Sequence, residues 1–578
     1  MEVGSKEDVK PIYTKDKWVK SYAEGVNYNI DIKKKTVLEM LYDSAKKYPN
    51  NTALIFEGYK LTYAKLVEMI DRLATALVEM GVKKGDKVAT ILPNIIHKVV
   101  SYYAIQRANA IAVLNNPLYS DDELQYQLND SSSKIVITAE LLNLTNRLID
   151  LKEKTKIEKI ITCNIGDYLP FPKSILFPLV ARKQGYKFDL KKVDFLYHFK
   201  DLVNKTEAKP PKLDLSWEDT ACLLYTGGTT GISKGVMLTH KNLSSNVQQI
   251  AEWFKEFEPT APQEVHMGAL PYFHSFGMTC SLNLPLTWGS TVVLIPRPYP
   301  DQLLEAIKKY RVTFFAAVPA MYVGIVNHPK IKDYDLSCIK GCFSGAAPIP
   351  VEIIKKFNEL TGASICEGYG LTESTPVTHI NPFGESAKRV PGSIGLPIPN
   401  TECKIVDIEQ GEKEMPIGED GELIIKGPQV MKGYYEKIEE TKNTIRNGWL
   451  YTGDIARMDK DGYFYIVDRK KDLVISGGYN IYPREIDEVL YKHPKVKAAV
   501  AVGIPDEYKG EVIKAYIQLK DGETATEEEI REYCDKHLAK YKRPKYIEFR
   551  DDLPITIVGK VLRRKLREEE AKKQKEKN

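Results

Sequence analysis

Between Tyr225 and Gly235 the chain reads YTGGTTGISKG, with four glycines, three threonines, one serine and one lysine. That composition suits a loop that surrounds phosphate oxygens with backbone N–H groups and hydroxyls. A Walker A loop needs G-x-x-x-x-G-K-[ST], and here Lys234 follows Ser233 and precedes Gly235, so the pattern is not met. On its own the stretch reads either as another kind of nucleotide loop or as a glycine-rich turn. The eight cysteines suggest no metal chemistry. Their nearest pair, Cys338 and Cys342 in CIKGC, lacks a second pair or histidines at zinc spacing, so reduced thiols are expected.

A phosphate loop needs regular elements to hold it, and the flanking sequence supplies them. From Thr62 to Met80 the apolar residues Leu66, Ile70, Leu73, Leu77 and Met80 recur at three- and four-residue steps, with Gly81 at the place of a left-handed cap. This spacing predicts an amphipathic helix. Short apolar runs follow in KVATILP, AIAVLNNP and KIVITA, alternating with helical patterns such as NIIHKVVSYYAIQRA, as in a parallel doubly wound sheet. The alternation resumes after the glycine-rich stretch in STVVLIP, VTFFAAVP and IKGCFSGAAP, with PDQLLEAIKKY and PVEIIKKFNELTG as helices between them. Between about 385 and 470 the pattern changes to short strands punctuated by Gly, Pro and Asp, the mark of a small β unit. After DRKKD, the helix signal YPREIDEVLYKHP, further strands and TEEEIREYCDKHLAK make an α+β unit of about a hundred residues. The boundary is expected at 468–472, which gives domains 1–470 and 471–578. The tail RRKLREEEAKKQKEKN reads as a solvated or frayed helix end.

At 578 residues the chain is too long for one hydrophobic core. With 43% hydrophobic and 28% charged residues, a disordered composition is excluded. A net charge of +5 with no arginine-rich arm argues against a nucleic-acid partner. The polar start MEVGSKEDVKPIYTKDKW lacks the apolar centre of a signal peptide, and no apolar run is long enough to span a bilayer. A cytoplasmic protein is expected. The segment 168–192, YLPFPKSILFPLVARKQGYKFDLKK, sets basic residues beside bulky apolar ones, so peripheral contact with a membrane is kept beside the plainer alternative of a packed surface excursion. Its three prolines are expected to prevent a continuous helix.

Four further stretches join the glycine-rich one: FSGAAPIP (343–350), CEGYGLTES (366–374), WLYTGD (449–454) with VDRKKD (467–472), and LPITIVGKVLRRKL (553–566). In this order, across nearly the whole chain, they resemble the adenylate-forming superfamily of acyl-CoA synthetases, luciferases and nonribosomal adenylation domains. GSIGLPIPNTECKIVD, GPQVMKGYY and VDRKKDLVISGGYNIYPREIDEVL are most similar to the medium- and long-chain fatty acyl-CoA ligases. The resemblance implies a large N-terminal body of two doubly wound α/β subdomains plus a small β-barrel-like unit, followed by a mobile α+β C-terminal domain.

The resemblance also implies roles. Thr226, Gly227, Gly228, Thr229, Thr230 and Lys234 would cover the β- and γ-phosphates of ATP. Glu373 and Thr226 would hold Mg²⁺, a cation that prefers oxygen ligands, and Thr372 would contact the α-phosphate. Tyr369 would stack on adenine, Gly345, Ala346 and Ala347 would form the small-residue strand end that lets the base approach the backbone, and Glu367, Gly368 and Gly370 would be further nucleotide-binding residues. Asp454 would accept the ribose hydroxyls, reinforced by Arg469. Lys560 would bridge the incoming carboxylate and the α-phosphate, two negative groups that repel. Lys471 would be the hinge, Gly477 and Gly478 would leave room for the pantetheine arm of coenzyme A, and His274 would border the acyl and thiol tunnels.

The implied activity is a fatty acid:CoA ligase working through acyl-AMP. An acyl-AMP ligase that loads a carrier-protein thiol, a phosphotransferase and a non-catalytic acyl or nucleotide binder stand as alternatives. Acyl chain length, and whether the protein is a homo-oligomer, are left open by the sequence.

Overall fold

The computed structural model describes residues 11–183, 189–227, 233–384, 387–476, 479–506, 508–554 and 562–577. The chain forms two compact units, one of Tyr22–Thr401 and Lys426–Gly448, the other of Met1–Ser21, Glu402–Ile425 and Trp449–Asn578. The small β segments on either side of Lys426–Gly448 thus cluster with the carboxy-terminal residues.

In the larger unit the apolar runs become two open sheets. The first has eight strands in the order Gly433–Tyr434, Ser233–Thr239, Thr220–Gly227, Ile111–Asn115, Lys87–Ile91, Ile135–Ala139, Lys159–Cys163 and Leu196–His198. From Thr220–Gly227 onward every pairing is parallel, whereas Thr220–Gly227 and Ser233–Thr239 form an antiparallel hairpin. Every residue of Ile135–Ala139 is buried, as expected for a sheet covered on both faces. The helix Tyr63–Glu79 forms where predicted, with Thr62 as its cap and Gly81 at φ +96° beyond its end. The helix Ile96–Arg107 is buried along almost its whole length, Lys98 included.

The second sheet has nine strands: Leu396–Pro397, Val377–Ile380, Ile365–Gly370, Gly341–Ser344, Phe314–Ala317, Val265–Gly268, Thr291–Leu294, Thr52–Phe56 and Tyr59–Thr62. The helices Pro300–Tyr310 and Val351–Thr361 connect its parallel strands, the latter ending at Gly362 with φ +74°.

The other unit holds a small antiparallel sheet of Glu402–Val406, Gly421–Lys426, Trp449–Met458 and Phe464–Arg469. It also holds a five-stranded sheet ordered Tyr479–Ile481, Val474–Ser476, Gly510–Leu519 and Val496–Asp506, with Tyr546–Phe549 pairing in parallel on Gly510–Leu519. Alternate residues of Val496–Asp506 serve two cores. Ala499 and Ala501 meet the helices Pro483–Tyr491 and Glu527–His537 through Ile486, Leu490 and Ile530. Val500, Val502 and Ile504 meet Leu553 and Leu566.

Two expectations are corrected. The tail is not a solvated end. Arg563–Lys577 is a helix with Leu566 fully buried, Arg563 paired with Asp487, Arg567 2.7 Å from Asp472 and Glu570 2.8 Å from Lys514. These four residues fall at three- and four-residue steps, but only one is apolar, so hydrophobic periodicity does not register the face. Nor does every proline of 168–192 interrupt a helix: Pro170 and Pro172 lie outside one, but Lys173–Lys183 is helical with Pro178 inside it. Pro172 lies before the first turn and accepts from the N–H groups of Ile175 and Leu176, so only Pro178 removes a donor from the interior.

All eight cysteines are unpaired thiols. Among the described residues no helix is long and apolar enough to cross a membrane.

Candidate active site

The two described ends of the glycine-rich stretch are antiparallel partners in the eight-stranded sheet. Tyr225, Thr226 and Gly227 end one strand, and Ser233, Lys234 and Gly235 begin the next, with Thr226 opposite Lys234 in register. Gly228, Thr229 and Thr230 lie outside the described residues. Lys234 is only 9% exposed, and its Nζ lies 5.2 Å from the centre of the Tyr434 ring. Tyr434 belongs to the short strand that pairs with Ser233–Thr239, opposite Val236.

Glu373 sits in the single 3₁₀ turn Thr372–Ser374, just after the strand Ile365–Gly370. Its carboxylate Oε1 accepts a hydrogen bond from the Tyr434 hydroxyl at 2.8 Å, and its carbonyl accepts from the Met431 N–H at 2.8 Å. The side chain therefore serves no cap of its own turn. Burial first, and the Glu373 carboxylate second, raise the Tyr434 phenol far above its ordinary range, so the hydroxyl remains a donor. One tyrosine thus links the expected metal carboxylate to the expected phosphate lysine.

The small-residue edge forms where Gly341–Ser344 runs beside Ile365–Gly370, with Ser344 opposite Glu367. Gly345 follows directly and approaches the Gly368 carbonyl. Ala346 holds φ +72°, a left-handed conformation that costs a residue with a Cβ about 1 kcal/mol or more. Such strain is concentrated at functional turns. Ala346 and Ala347 are partly exposed. A Cβ on Gly370 would lie 1.9 Å from the Pro376 carbonyl oxygen, so no other residue fits there. Glu367 is buried and accepts from the Gly392 N–H at 2.9 Å. Tyr369 meets His379 edge to face at 6.0 Å, and burial pushes that imidazole down to about 3, leaving it neutral. His274 precedes the short helix Ser275–Met278, accepting from the Met278 N–H.

Behind this edge is an apolar cavity of about 30 Å³, lined among others by Cys280, Trp288, Phe314, Cys342 and Phe343. Cys342 and Phe343 belong to the strand that delivers Gly345.

In the other unit, Asp454 and Arg469 are cross-strand partners, with Arg469 Nε 3.5 Å from Asp454 Oδ1. Lys471 is exposed, and its carbonyl accepts from Arg567 Nη1 at 3.1 Å. Gly477 and Gly478 lie outside the described residues, between the paired Ser476 and Tyr479. Lys560 also lies outside them. The described residues around it are fixed: the Leu562 N–H donates to the Pro554 carbonyl at 2.8 Å, and Arg563 is anchored by Asp487, whose other oxygen accepts from the Ala501 N–H at 2.6 Å.

Thr226 and Lys234 therefore come together with Glu373, and Gly345–Ala347 with Glu367–Gly370, while Asp454, Arg469 and Lys471 are neighbours in the second unit. Sequence reasoning missed Tyr434. It lies within GPQVMKGYY, a stretch that supported only the resemblance and was given no role. Among the described residues no three His, Cys, Asp or Glu side chains group to hold a metal ion. The carboxylate of Glu373 and the hydroxyl of Thr226 are oxygen donors of the kind Mg²⁺ takes alongside substrate phosphates, so these residues fit that ion.

Two doubly wound sheets with a glycine-rich hairpin, followed by an α+β unit, define an α/β enzyme of the adenylate-forming type. The chain belongs to the AMP-binding enzyme family: residues 41–435 match the AMP-binding enzyme and residues 485–560 the AMP-binding enzyme C-terminal domain. It is 44% identical over 556 residues to a long-chain-fatty-acid–CoA ligase of Bacillus subtilis, covering 96% of this chain and 98% of that one. It is 37% identical over 565 residues to the protein of the same name from Escherichia coli O6:H1, again covering 96% and 98%. The crystal structure of ATP-bound MatB from Rhodopseudomonas palustris superposes with a TM-score of 0.80 at 30% identity, covering 92% of this chain and 98% of that one.

Proposed function

We propose that this chain is an AMP-forming fatty acid:CoA ligase. In the first half-reaction a carboxylate oxygen attacks the α-phosphorus of ATP and pyrophosphate leaves. In the second, the CoA thiolate attacks the acyl carbonyl and AMP leaves. The observation that carries the proposal is the pairing of Thr226 with Lys234 on the glycine-rich hairpin, joined through Tyr434 to Glu373. Relatives named long-chain-fatty-acid–CoA ligases over almost the full chain support the acyl substrate.

Lys234 and the threonine hydroxyls stabilise the departing pyrophosphate, where negative charge grows. Glu373 and Thr226 hold Mg²⁺, which supplies charge neutralisation at the phosphates. Gly345–Ala347 and Tyr369 receive the adenine, and Asp454 with Arg469 the ribose. Lys560 neutralises the repulsion between the two anions that must meet. The part that moves is 471–578, turning at Lys471, because the cation needed for adenylation must withdraw before the thiol can reach the same carbonyl. Gly477 and Gly478 then make way for the pantetheine arm.

The apolar cavity beside Phe343 is the start of the acyl site; His266 lines it and His274 does not, so a role for His274 at the acyl and thiol tunnels rests on the resemblance alone. At about 30 Å³ it has room for little more than a water, so its aromatic walls must rotate to admit a chain. Fatty acids partition into bilayers, and peripheral contact with an anionic membrane belongs to the same proposal. The helix Lys173–Lys183 is held by the buried Ala181 while Phe171, Ile175, Leu176 and Leu179 stand exposed, Phe171 by 80%. Its segment 168–192 carries six basic residues and one acidic, a net +5 equal to that of the whole chain. Flotation with anionic liposomes that is lost in Leu176→Glu/Leu179→Glu supports this contact, and absence of flotation by the wild type removes it.

The deciding experiment is a panel of short, long and aromatic carboxylic acids assayed for AMP release with and without CoA. Fatty-acid-dependent AMP with CoA consumption is expected. AMP without CoA turnover would point to a carrier-protein thiol, and ADP would indicate a phosphotransferase.

A further inference from the structure

Tyr434 touches both Glu373 and Lys234, the two side chains to which the proposal above gives the metal ion and the phosphates. Its hydroxyl donates to Glu373 Oε1 at 2.8 Å, and its ring faces Lys234 Nζ at 5.2 Å. The residue is 9% exposed and cannot swing away freely. Its backbone is pinned by the strand pairing to Val236, and its N–H donates to Thr441 Oγ1 at 2.9 Å. The neighbouring Gly433 adopts φ +146°, and a Cβ there would lie 2.6 Å from the Thr441 methyl, so the approach that seats Tyr434 requires glycine.

From this geometry we infer that Tyr434 is a positioning residue: its hydroxyl orients the Glu373 carboxylate for a divalent cation, and its ring holds the phosphate-loop lysine beside it. This inference rests on the nucleotide-binding proposal above. With the phenol donating to Oε1, the carboxylate plane is held before any ligand binds, and Glu373 would offer its remaining acceptor sites to a cation in that fixed orientation. A carboxylate held by a hydrogen-bond partner binds a metal more tightly than one free to rotate, and loss of such a partner typically lowers affinity or activity about tenfold or more. The ring contact is electrostatic attraction between an ammonium and a π face. It keeps the buried Lys234 charged side chain in a defined place without a carboxylate that would compete with phosphate for it.

The two contacts can be separated chemically. Tyr434→Phe removes the hydroxyl and keeps the ring, whereas Tyr434→Leu removes both. The measurement is ATP affinity by isothermal titration calorimetry on the full chain, with Mg²⁺ and with EDTA, so that the readout is binding and not turnover. For the wild type, Mg²⁺ tightens ATP binding. For Tyr434→Phe, the tightening by Mg²⁺ is expected to fall about tenfold while affinity in EDTA is unchanged. For Tyr434→Leu, affinity in EDTA is expected to fall as well.

In a Glu373→Gln background, Tyr434→Phe should have no further effect on the Mg²⁺ response, because the hydroxyl acts only through that carboxylate. A merely structural tyrosine would lower both affinities together and would do so in the Glu373→Gln background too. That outcome, or an undiminished Mg²⁺ response in Tyr434→Phe, overturns the inference while leaving the ligase proposal standing. Failure of the wild type to bind ATP under either condition overturns both.

Discussion

Lys98 is fully buried in the helix Ile96–Arg107, and its Nζ donates to Thr90 Oγ1 at 2.7 Å. Burial brings its pKa from 10.5 down to about 7. Between those two values the unfolded chain holds a proton that the folded chain has released, so stability rises with pH across that window. Each pH unit within the window is worth about 1.4 kcal/mol, which places a burden on the folded state of about 4 kcal/mol at pH 7 and about 2 kcal/mol at pH 9. Lys98→Met removes that burden and forfeits a hydrogen bond worth about 1 kcal/mol. The variant should therefore be more stable than the wild type by about 3 kcal/mol at pH 7 and by about 1 kcal/mol at pH 9. Cys222, buried and close enough to influence the Lys98 titration, offers a local probe. Its alkylation across a urea series, quantified by mass spectrometry at each pH, reports opening of this sheet independently of the other unit. An advantage of the variant that is constant between pH 7 and pH 9, or that grows with pH, would refute the reasoning.

Other substitutions examine the site itself. Lys560→Ala should slow adenylation about a hundredfold or more while sparing thioester formation from supplied acyl-AMP, as single-turnover measurement of each half-reaction would reveal; equal losses would contradict the division of labour. Lys471→Pro should impair one half-reaction more than the other, and equal rates would count against a hinge there. At Ala346, with φ +72°, replacement by Gly should leave stability within about 1 kcal/mol, whereas Val should cost more than Gly, as denaturant midpoints would report.

Local structure was legible wherever one physical signal dominated. The spacing of Leu66, Ile70, Leu73 and Leu77 produced the helix Tyr63–Glu79, and the fully apolar runs produced parallel strands. What the sequence could not convey was partnership across long separations. Thr52–Phe56 joins the nine-stranded sheet beside Thr291–Leu294, and Gly433–Tyr434 joins the eight-stranded one beside Ser233–Thr239. A two-residue strand has no periodicity to detect, which is why Tyr434 escaped notice while Glu373, its partner, did not. The docking of the carboxy-terminal helix escaped for a related reason: three of the four residues on its docked face, Arg563, Arg567 and Glu570, are charged, and their fitness for burial depends on Asp487, Asp472 and Lys514 elsewhere in the chain. Glycine positions were legible as a type and not as a cause. Only the fold reveals that Gly370 is required by the Pro376 carbonyl.

The most direct measurement is exchange of labelled pyrophosphate into ATP by the purified chain, given a fatty acid and Mg²⁺. Label should enter ATP only when acid is present and without any need for CoA, because acyl-AMP and pyrophosphate form in the first half-reaction and recombine. No acid-dependent exchange with any acid of the panel, by protein that binds ATP, would contradict adenylation by this site.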